Sequence, residues 1–310
     1  MASVRPRGLN SAPWATTLAG MKRMFFMLAL LAATAIQGWA QVEGVTAQLT
    51  LEQDQCMPGE DLQLKVKITN RSGQPLTFGR DNNWLTLSIV AENNYIVSKI
   101  GDMPETGEFT LLSGQTGTRT FNPTPYFDFR RPGRYRIGAT IQVDQWGKEI
   151  ACQPVSLVVA NGIPLPSFTN LPFGVPPAPG ASNSLPEVRH YSLIKVAYLD
   201  RLALYFRLTD DSGRTLSVFP LAPMLSFSDP EGQLDRGNNF HVLSQIGARA
   251  FGYFVLSPQG RLLLRQTYVY GMGRPTLRNT DDGGVFVAGG QRRVSETDFP
   301  APAPQSARSN

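Results

Sequence analysis

The 310-residue chain predicts an all-β protein in two parts, an N-terminal β-sandwich followed by a C-terminal antiparallel β region of two repeated units. Three observations carry this. Between residues 42 and 160 apolar residues recur at every second position in several runs, the period of a strand with one wet face. Between residues 187 and 294 the sequence repeats itself at an offset of 45 to 48 residues. Gly, Pro, Asn and Asp clusters punctuate both parts, and no ten-residue window of the first holds a helical stripe.

The elements follow in chain order. Met21-Lys22-Arg23, the apolar run from Met24 to Ile36, and Gln37-Gly38-Trp39-Ala40 make a charged head, an apolar stretch too short to span a bilayer and a small-x-small cleavage site. Residues 1–40 therefore read as an upstream extension plus a secretory signal peptide. Met21 is the better start, and Gln41 the expected first residue of the mature chain. The expected location is the periplasm or the extracellular space, with no stable membrane span after cleavage. Arg5, Arg7, Lys22 and Arg23 lie in that segment with no acidic residue, so removing it takes the formal charge from +5 to +1. A near-neutral chain has no basic face for phosphates, which argues against nucleic acid as a partner.

Residues 42–160 form the first region. Leu62, Leu64, Val66 and Ile68 alternate with polar residues up to the turn Asn70-Arg71-Ser72-Gly73. Leu85, Leu87 and Ile89 repeat the pattern, then Tyr135, Ile137, Ala139, Ile141 and Val143, and Val155, Leu157 and Val159 close it. Pro58-Gly59-Glu60 and Arg131-Pro132-Gly133-Arg134 mark turns that feed strands. With Thr69-Asn70-Arg71-Ser72-Gly73-Gln74-Pro75-Leu76, these motifs resemble bacterial immunoglobulin-like modules. In outline they are also similar to the intracellular proteinase inhibitor family, which shares that sandwich. The resemblance implies a fold and no activity. No Cys–Trp–Cys arrangement of the antibody kind is present. Cys56 and Cys152 are an even pair in an exported chain, which reads as a disulfide. First and last strands are neighbours in many such sandwiches, so the expected bridge ties the first strand region to the last.

Residues 161–186 carry seven prolines and no charge, and read as an extended, semi-rigid linker, whose apolar residues Ile163, Leu165, Phe168, Leu171 and Phe173 suggest that it lies against one of the domains. Residues 187–294 hold the repeat. Ala203-Leu204-Tyr205-Phe206 through Gly213-Arg214 lines up with Phe251-Gly252-Tyr253-Phe254 through Gly260-Arg261, and Asp235 to Val242 echoes Asp282 to Val287. The offset is the length of one propeller blade. Thr209-x-Asp211-x-Gly213-x-Thr215 resembles the Asp-box hairpin of sialidase-like propellers. There the box is a structural turn, so nothing catalytic carries over. Two copies imply a pair of blade-like sheets packed on each other or further self-association. Residues 295–310 read as a disordered tail.

Chemistry is sparse. The sequence holds no G-x-S-x-G, H-E-x-x-H or Walker loop. The only histidines are His190 and His241, and there is no C-x-x-C, so neither a metal site nor a cofactor is expected. His241, with Asp235 upstream, is the best single residue for acid–base work, though a polar position on a half-buried sheet accounts for it more readily. Asp210-Asp211 and Asp281-Asp282 precede turn glycines, which hairpin chemistry explains without calcium. Two aromatic loops are the candidate binding residues: Tyr126, Phe127 and Phe129 in the first region, and Tyr268, Tyr270 and Arg274 in the second. Aromatic faces beside polar groups suit a sugar ring or a partner side chain. The expectation is a non-enzymatic binding or assembly protein of the bacterial cell envelope, its partner an envelope protein or glycan. A carbohydrate-recognising or glycan-active protein is the alternative, and a protease inhibitor the second.

Overall fold

The computed structural model describes residues 44–104, 107–175, 186–197 and 201–300. The signal segment and residues 301–310 lie outside them. Within them the protein is all-β, and its only helical pieces are 3-10 turns of three residues.

The first region runs through β1 (Val45–Leu51), β2 (Gln55–Cys56), β3 (Leu64–Asn70), β4 (Leu76–Phe78), β5 (Leu85–Ala91), β6 (Phe109–Leu111), β7 (Thr116–Phe121), β8 (Gly133–Val143), β9 (Lys148–Ala151) and β10 (Val155–Val159). One sheet has the order β1-β3-β7. The other is β2-β10-β8-β5 with β9 also on β8, and β4 pairs with β6. Alternation decides which side chains go inward. Leu64, Val66 and Ile68 are buried while Lys65 and Lys67 point outward, and Tyr135, Ile137, Ala139, Ile141 and Val143 are buried while Arg134 and Arg136 are exposed. Both sheets feed a single core, which makes the region a sandwich. Each fully buried Leu or Ile contributes about 1.5–3 kcal/mol.

The expected disulfide is not formed: Cys56 and Cys152 are free, buried thiols. Register explains why. Cys56 pairs with Val159, which lies opposite Gly133, whereas the Cys152 N–H donates to the Ala139 carbonyl at 2.8 Å. Gly133 and Ala139 are about 20 Å apart along β8 at about 3.3 Å per residue. Bridged Cα atoms lie within about 7 Å. It is the short β2, and not β1, that pairs with the last strand, and it does so in parallel, so the cysteines sit at opposite ends of the contact. Burial, then the Glu60 charge, pushes the Cys56 thiol up to about 12, and burial pushes Cys152 up to about 11.

The second region comprises β11 (Ile163–Pro164), β12 (Leu171–Val175), β13 (Glu187–Ala197), β14 (Leu202–Asp210), β15 (Thr215–Met224), β16 (Glu231–Leu234), β17 (Phe240–Gln245), β18 (Ala250–Leu256), β19 (Leu262–Val269), β20 (Thr276–Asn279), β21 (Val285–Ala288) and β22 (Gln291–Arg293). The inner sheet is β11-β13-β14-β15 with β12 also on β13, and the outer sheet is β16-β17-β18-β19-β22. Tyr191, Leu193, Phe206 and Leu208 of the inner sheet meet Phe240, Val242, Phe254 and Leu256 of the outer one. The β20–β21 hairpin covers the far face of the outer sheet through Leu277, Val285 and Val287 against Phe251 and Tyr253.

The Pro-rich segment lies against the second region, as its apolar residues suggest: β11 and β12 add to β13 as sheet strands. Pro164 and Pro172 are tolerated because both strands flank the sheet rather than run through its middle. The expected disordered tail is corrected for residues 295–300, which pack on the second region: Phe299 exchanges backbone hydrogen bonds with Arg265 at 2.8 and 3.0 Å, and the buried Asp298 accepts from Arg292 at 2.6 Å.

The two-fold repeat resolves into hairpins closed by one turn design, at 210–214, 235–239, 257–261 and 280–284. In each, the first residue's side-chain oxygen accepts from the N–H of the fifth: Asp210 from Arg214 at 2.9 Å, Asp235 from Asn239 at 2.8 Å, Ser257 from Arg261 at 3.1 Å and Thr280 from Gly284 at 2.8 Å. The fourth residue is left-handed, with φ of 82° at Gly213, 59° at Asn238, 78° at Gly260 and 78° at Gly283. The capping carboxylate of the first turn is therefore Asp210 and not the Asp211 of the Asp-box alignment. Likewise Asp235 corresponds to Thr280 rather than Asp282.

The two regions share a buried seam. Met57 and Ala160 pack on Ile194, Val196, Ala203, Tyr205 and Val218, the face of the inner sheet turned away from the outer one. The Pro58-Gly59-Glu60 turn is the plug. Gly59 has a φ of 84°, and a Cβ there would meet Thr215 at 3.3 Å. Glu60, 4% exposed, accepts from the Met57 N–H at 2.8 Å and the Gln53 amide at 3.0 Å, and is hydrogen-bonded to Tyr205 of the second region.

Candidate functional site

Alternation along β8 sends Arg134 and Arg136 to the outer face of the β2-β10-β8-β5 sheet. The register sets Arg136 between Ser156 and Val90, and Arg134 beside Val158. These residues floor a depression of about 430 Å³, walled by Asp54 on one side and Glu92, Asn93 and Asn94 on the other. Asn93 and Asn94 both have positive φ, 69° and 59°, which turns the chain back sharply after β5. The returning segment pairs Ile96 with Val90.

This depression continues in two directions. At the tip of the sandwich it shares Glu92, Asn93 and Arg134 with a second one of about 420 Å³, bounded by Tyr95, Ile100 and Arg131. Tyr95, Ile96 and Ile100 are all more than half exposed. At the other end Asp54 joins it to a cleft of about 750 Å³ at the seam. There Leu51 to Gln55 face Arg201, Tyr205, Pro220, Pro223 and Arg265 of the second region. The three adjoin in series from the sandwich tip to the seam, and together are called the trough below.

Electrostatics differ between members of the trough. Asp128 is clamped by the Arg130 guanidinium at 2.8 Å through both oxygens, and these bonds hold its carboxyl down to about 2. Glu52 is paired with Lys65 at 2.5 Å. Arg265 reaches only the Leu221 carbonyl, at 3.5 Å, and the Phe254 ring, at 5.7 Å, and its Nε is buried without a partner. Glu60 lies behind the cleft and holds Gln53 of one wall and Tyr205 of the other. Burial raises its carboxyl above the usual value, although the bonds from Met57, Gln53 and Tyr205 pull the other way.

None of the six aromatic-loop residues lines the trough. Phe127 and Phe129 are core residues, 6% and 3% exposed, and Phe129 packs edge-on to Tyr135 at 5.4 Å. Tyr126 is half-buried against the same core, and its carbonyl accepts from the Ile100 N–H at 2.8 Å. This loop staples itself to its own sandwich. Tyr268, Tyr270 and Arg274 gather on the far face of the outer sheet. Tyr270 and the Arg274 guanidinium lie 5.7 and 5.4 Å from the Phe251 ring, and Tyr268 meets Tyr253 at 6.2 Å. The structure does not bring the two loops together.

His241 is buried with both ring nitrogens engaged, Nδ1 with the Tyr253 hydroxyl at 2.7 Å and Nε2 with Asp235 at 3.1 Å. Burial raises the Asp235 carboxyl, but hydrogen bonds from Asn239 and His241 outweigh it and hold the group below its usual value. Burial and the neighbouring Tyr268 and Asp235 push the Tyr253 hydroxyl up to about 12. The array locks the 235–239 turn and is not part of the trough. No group of three His, Cys, Asp or Glu among the described residues could hold a metal ion.

The sequence reading missed Arg131, Arg134 and Arg136, although arginine recurs at 130, 131, 134 and 136 and the alternation of β8 already sends two of them outward. It missed Glu60 because a Pro-Gly-Glu turn carries no mark of burial.

No family model matches the chain, and no curated protein does. Among solved structures it is similar to the crystal structure of Spo0M, a sporulation control protein from Bacillus subtilis. The identity is 12% and the TM-score 0.27, over 58% of this chain and 91% of that one. So loose a superposition carries no argument.

Proposed function

We propose that the chain is an exported, non-enzymatic binding protein that holds an extended polymer of the cell envelope along the trough. One observation carries the reading: three depressions adjoin in series from the sandwich tip to the seam, so the site is long rather than enclosed. Small-molecule sites bury most of their ligand in one concavity. A chain-like ligand needs length instead. The locked state of His241, away from the trough, favours binding over turnover. Two sheets over one core support the immunoglobulin-like reading of the first region, and the recurring hairpins support blade-like sheets in the second. Export rests on Met21 to Ala40.

The test is a length series. Fragments of envelope polymers, saccharide and peptide, are titrated into the mature full-length protein. Affinity should climb with fragment length until the trough is filled. A monomer that binds as tightly as its polymer would remove the reading, and so would turnover of any fragment. A glycan is favoured over a polypeptide because the trough floor is a sheet face, which offers side chains and no free backbone ladder.

A further inference from the structure

We infer that the polymer is an anionic polysaccharide, held through its carboxylate or phosphate groups by Arg134 and Arg136 on the trough floor, with Arg131 and Arg265 toward its two ends. The inference rests on the trough as the binding site and adds the chemistry of the occupant.

The first argument is charge. Arg134 and Arg136 occupy alternate positions on one strand face, about 7 Å apart at about 3.3 Å per residue. Among the described residues, Arg80, Arg130, Arg189, Arg214 and Arg292 each have a carboxylate partner. Arg131, Arg134, Arg136 and Arg265 form no ion pair with the described residues; the same holds for arginines elsewhere, such as Arg119, Arg274 and Arg278, but these four line the trough. The acids beside them that stay unpaired are Asp54 and Glu92, while Asp128 and Glu52 are committed to Arg130 and Lys65. The trough therefore keeps an excess of positive charge on a mature chain whose expected net charge is only +1. A guanidinium is a planar fork that matches a carboxylate or phosphate with two parallel bonds.

The second argument separates polysaccharide from acidic polypeptide. An extended peptide gains most where it can add to a free strand edge. The floor of the trough is the outer face of β10, β8 and β5, whose backbone groups are engaged with one another, and the β5 edge beside it is covered by the returning segment of residues 95–97, which bonds to Ile89 and Ala91. At the seam the outer edge strand is β15, which carries Pro220 and Pro223 and so lacks two N–H groups. What the trough offers is guanidinium groups, the Asn93 and Asn94 amides, the Ser156 hydroxyl, and the small apolar floor of Val90 and Val158. Those groups suit ring hydroxyls, acid substituents and the C–H face of a sugar.

The test uses the full-length mature protein, oligogalacturonate, its neutral methyl ester of the same length, and poly-glutamate of matched charge. Titration calorimetry should give binding to oligogalacturonate, at least tenfold weaker binding to the ester and to poly-glutamate, and weakening with added salt. Arg134→Ala with Arg136→Ala should cut oligogalacturonate affinity at least tenfold with an unchanged melting temperature. Arg131→Ala, tested alone, should lower it several-fold and serves if the double variant fails to fold. Arg214→Ala, in a turn outside the trough, should have no effect. Equal binding of the ester overturns the anionic requirement, and equal binding of poly-glutamate overturns the polysaccharide. Either result leaves the trough standing. Oligogalacturonate binding that ignores the arginine variants, or no binding to it, overturns the inference. The length series then decides separately whether the trough itself falls.

Discussion

Strand β8 of the first region and strand β14 of the second are both long, and they bury their residues by different rules. In β8 every second side chain is buried and its neighbours, Arg134 and Arg136 among them, are wet. In β14 Ala203, Leu204, Tyr205 and Phe206 are buried in succession. The sandwich has one core between two sheets, so each strand has one dry face. The inner sheet of the second region lies between the seam and the outer sheet, so Ala203 and Tyr205 point to one core and Leu204 and Phe206 to another. A strand's hydrophobic pattern thus reports how many layers surround it.

The largest effects should come from adjacent positions. Phe206→Ala and Tyr205→Ala should each cost about 3–5 kcal/mol in urea unfolding. On β8, Ile137→Ala should cost about 2–5 kcal/mol and Arg136→Ala no more than about 0.5 kcal/mol. A Tyr205→Ala variant as mild as Arg136→Ala would break the two-faced account of β14.

Next comes the difference among the turns. Asp235→Ala should destabilise by about 2–3 kcal/mol, because it also strips Nε2 of the buried His241 of its partner. Ser257→Ala removes a single bond to Arg261 and should cost about 1 kcal/mol. Thermal melts of the two variants check the order, and equal losses would mean that the His241 contact contributes nothing.

The seam should be readable by pH. The native Glu60 carboxyl is raised, so the folded state binds its proton more tightly than the unfolded chain does. Its stabilising contribution is complete below the ordinary Glu value of about 4.3 and is lost as pH rises through the raised native value. Glu60→Gln should therefore gain stability relative to the parent as pH increases across that window. A difference that stays flat with pH would show that the carboxyl titrates normally.

Smallest is the cysteine effect. Without reductant, a thiol reagent should modify two cysteines in denaturant and react slowly in the native state, since both thiols are buried and pushed up. Protection of both in denaturant would mean that they are bonded.

Much of the sandwich was legible because one-faced burial writes itself as alternation, as in Leu64 to Ile68. The hairpin repeat was legible as Gly213 and Gly260, but two of its turns hide behind Asn238 and a Thr280 cap that match no shared letter. The trough was not legible. It depends on Asp54, Glu92 and Arg134 meeting across three segments, which no local pattern encodes. The aromatic loops misled because Phe127 and Phe129 in a proline-rich loop look the same in sequence whether they face solvent or their own core.

The seam has a consequence for how this chain can be cut. A fragment ending near Ala160 would carry Met57, Ala160 and the shielded Glu60 on an open surface, while its counterpart would bare Ile194, Val196 and Tyr205. Freed of Tyr205, Glu60 would meet water and lose what sets its proton affinity. The N-terminal half is therefore not a portable cassette: the turn at Gly59 is shaped to its neighbour.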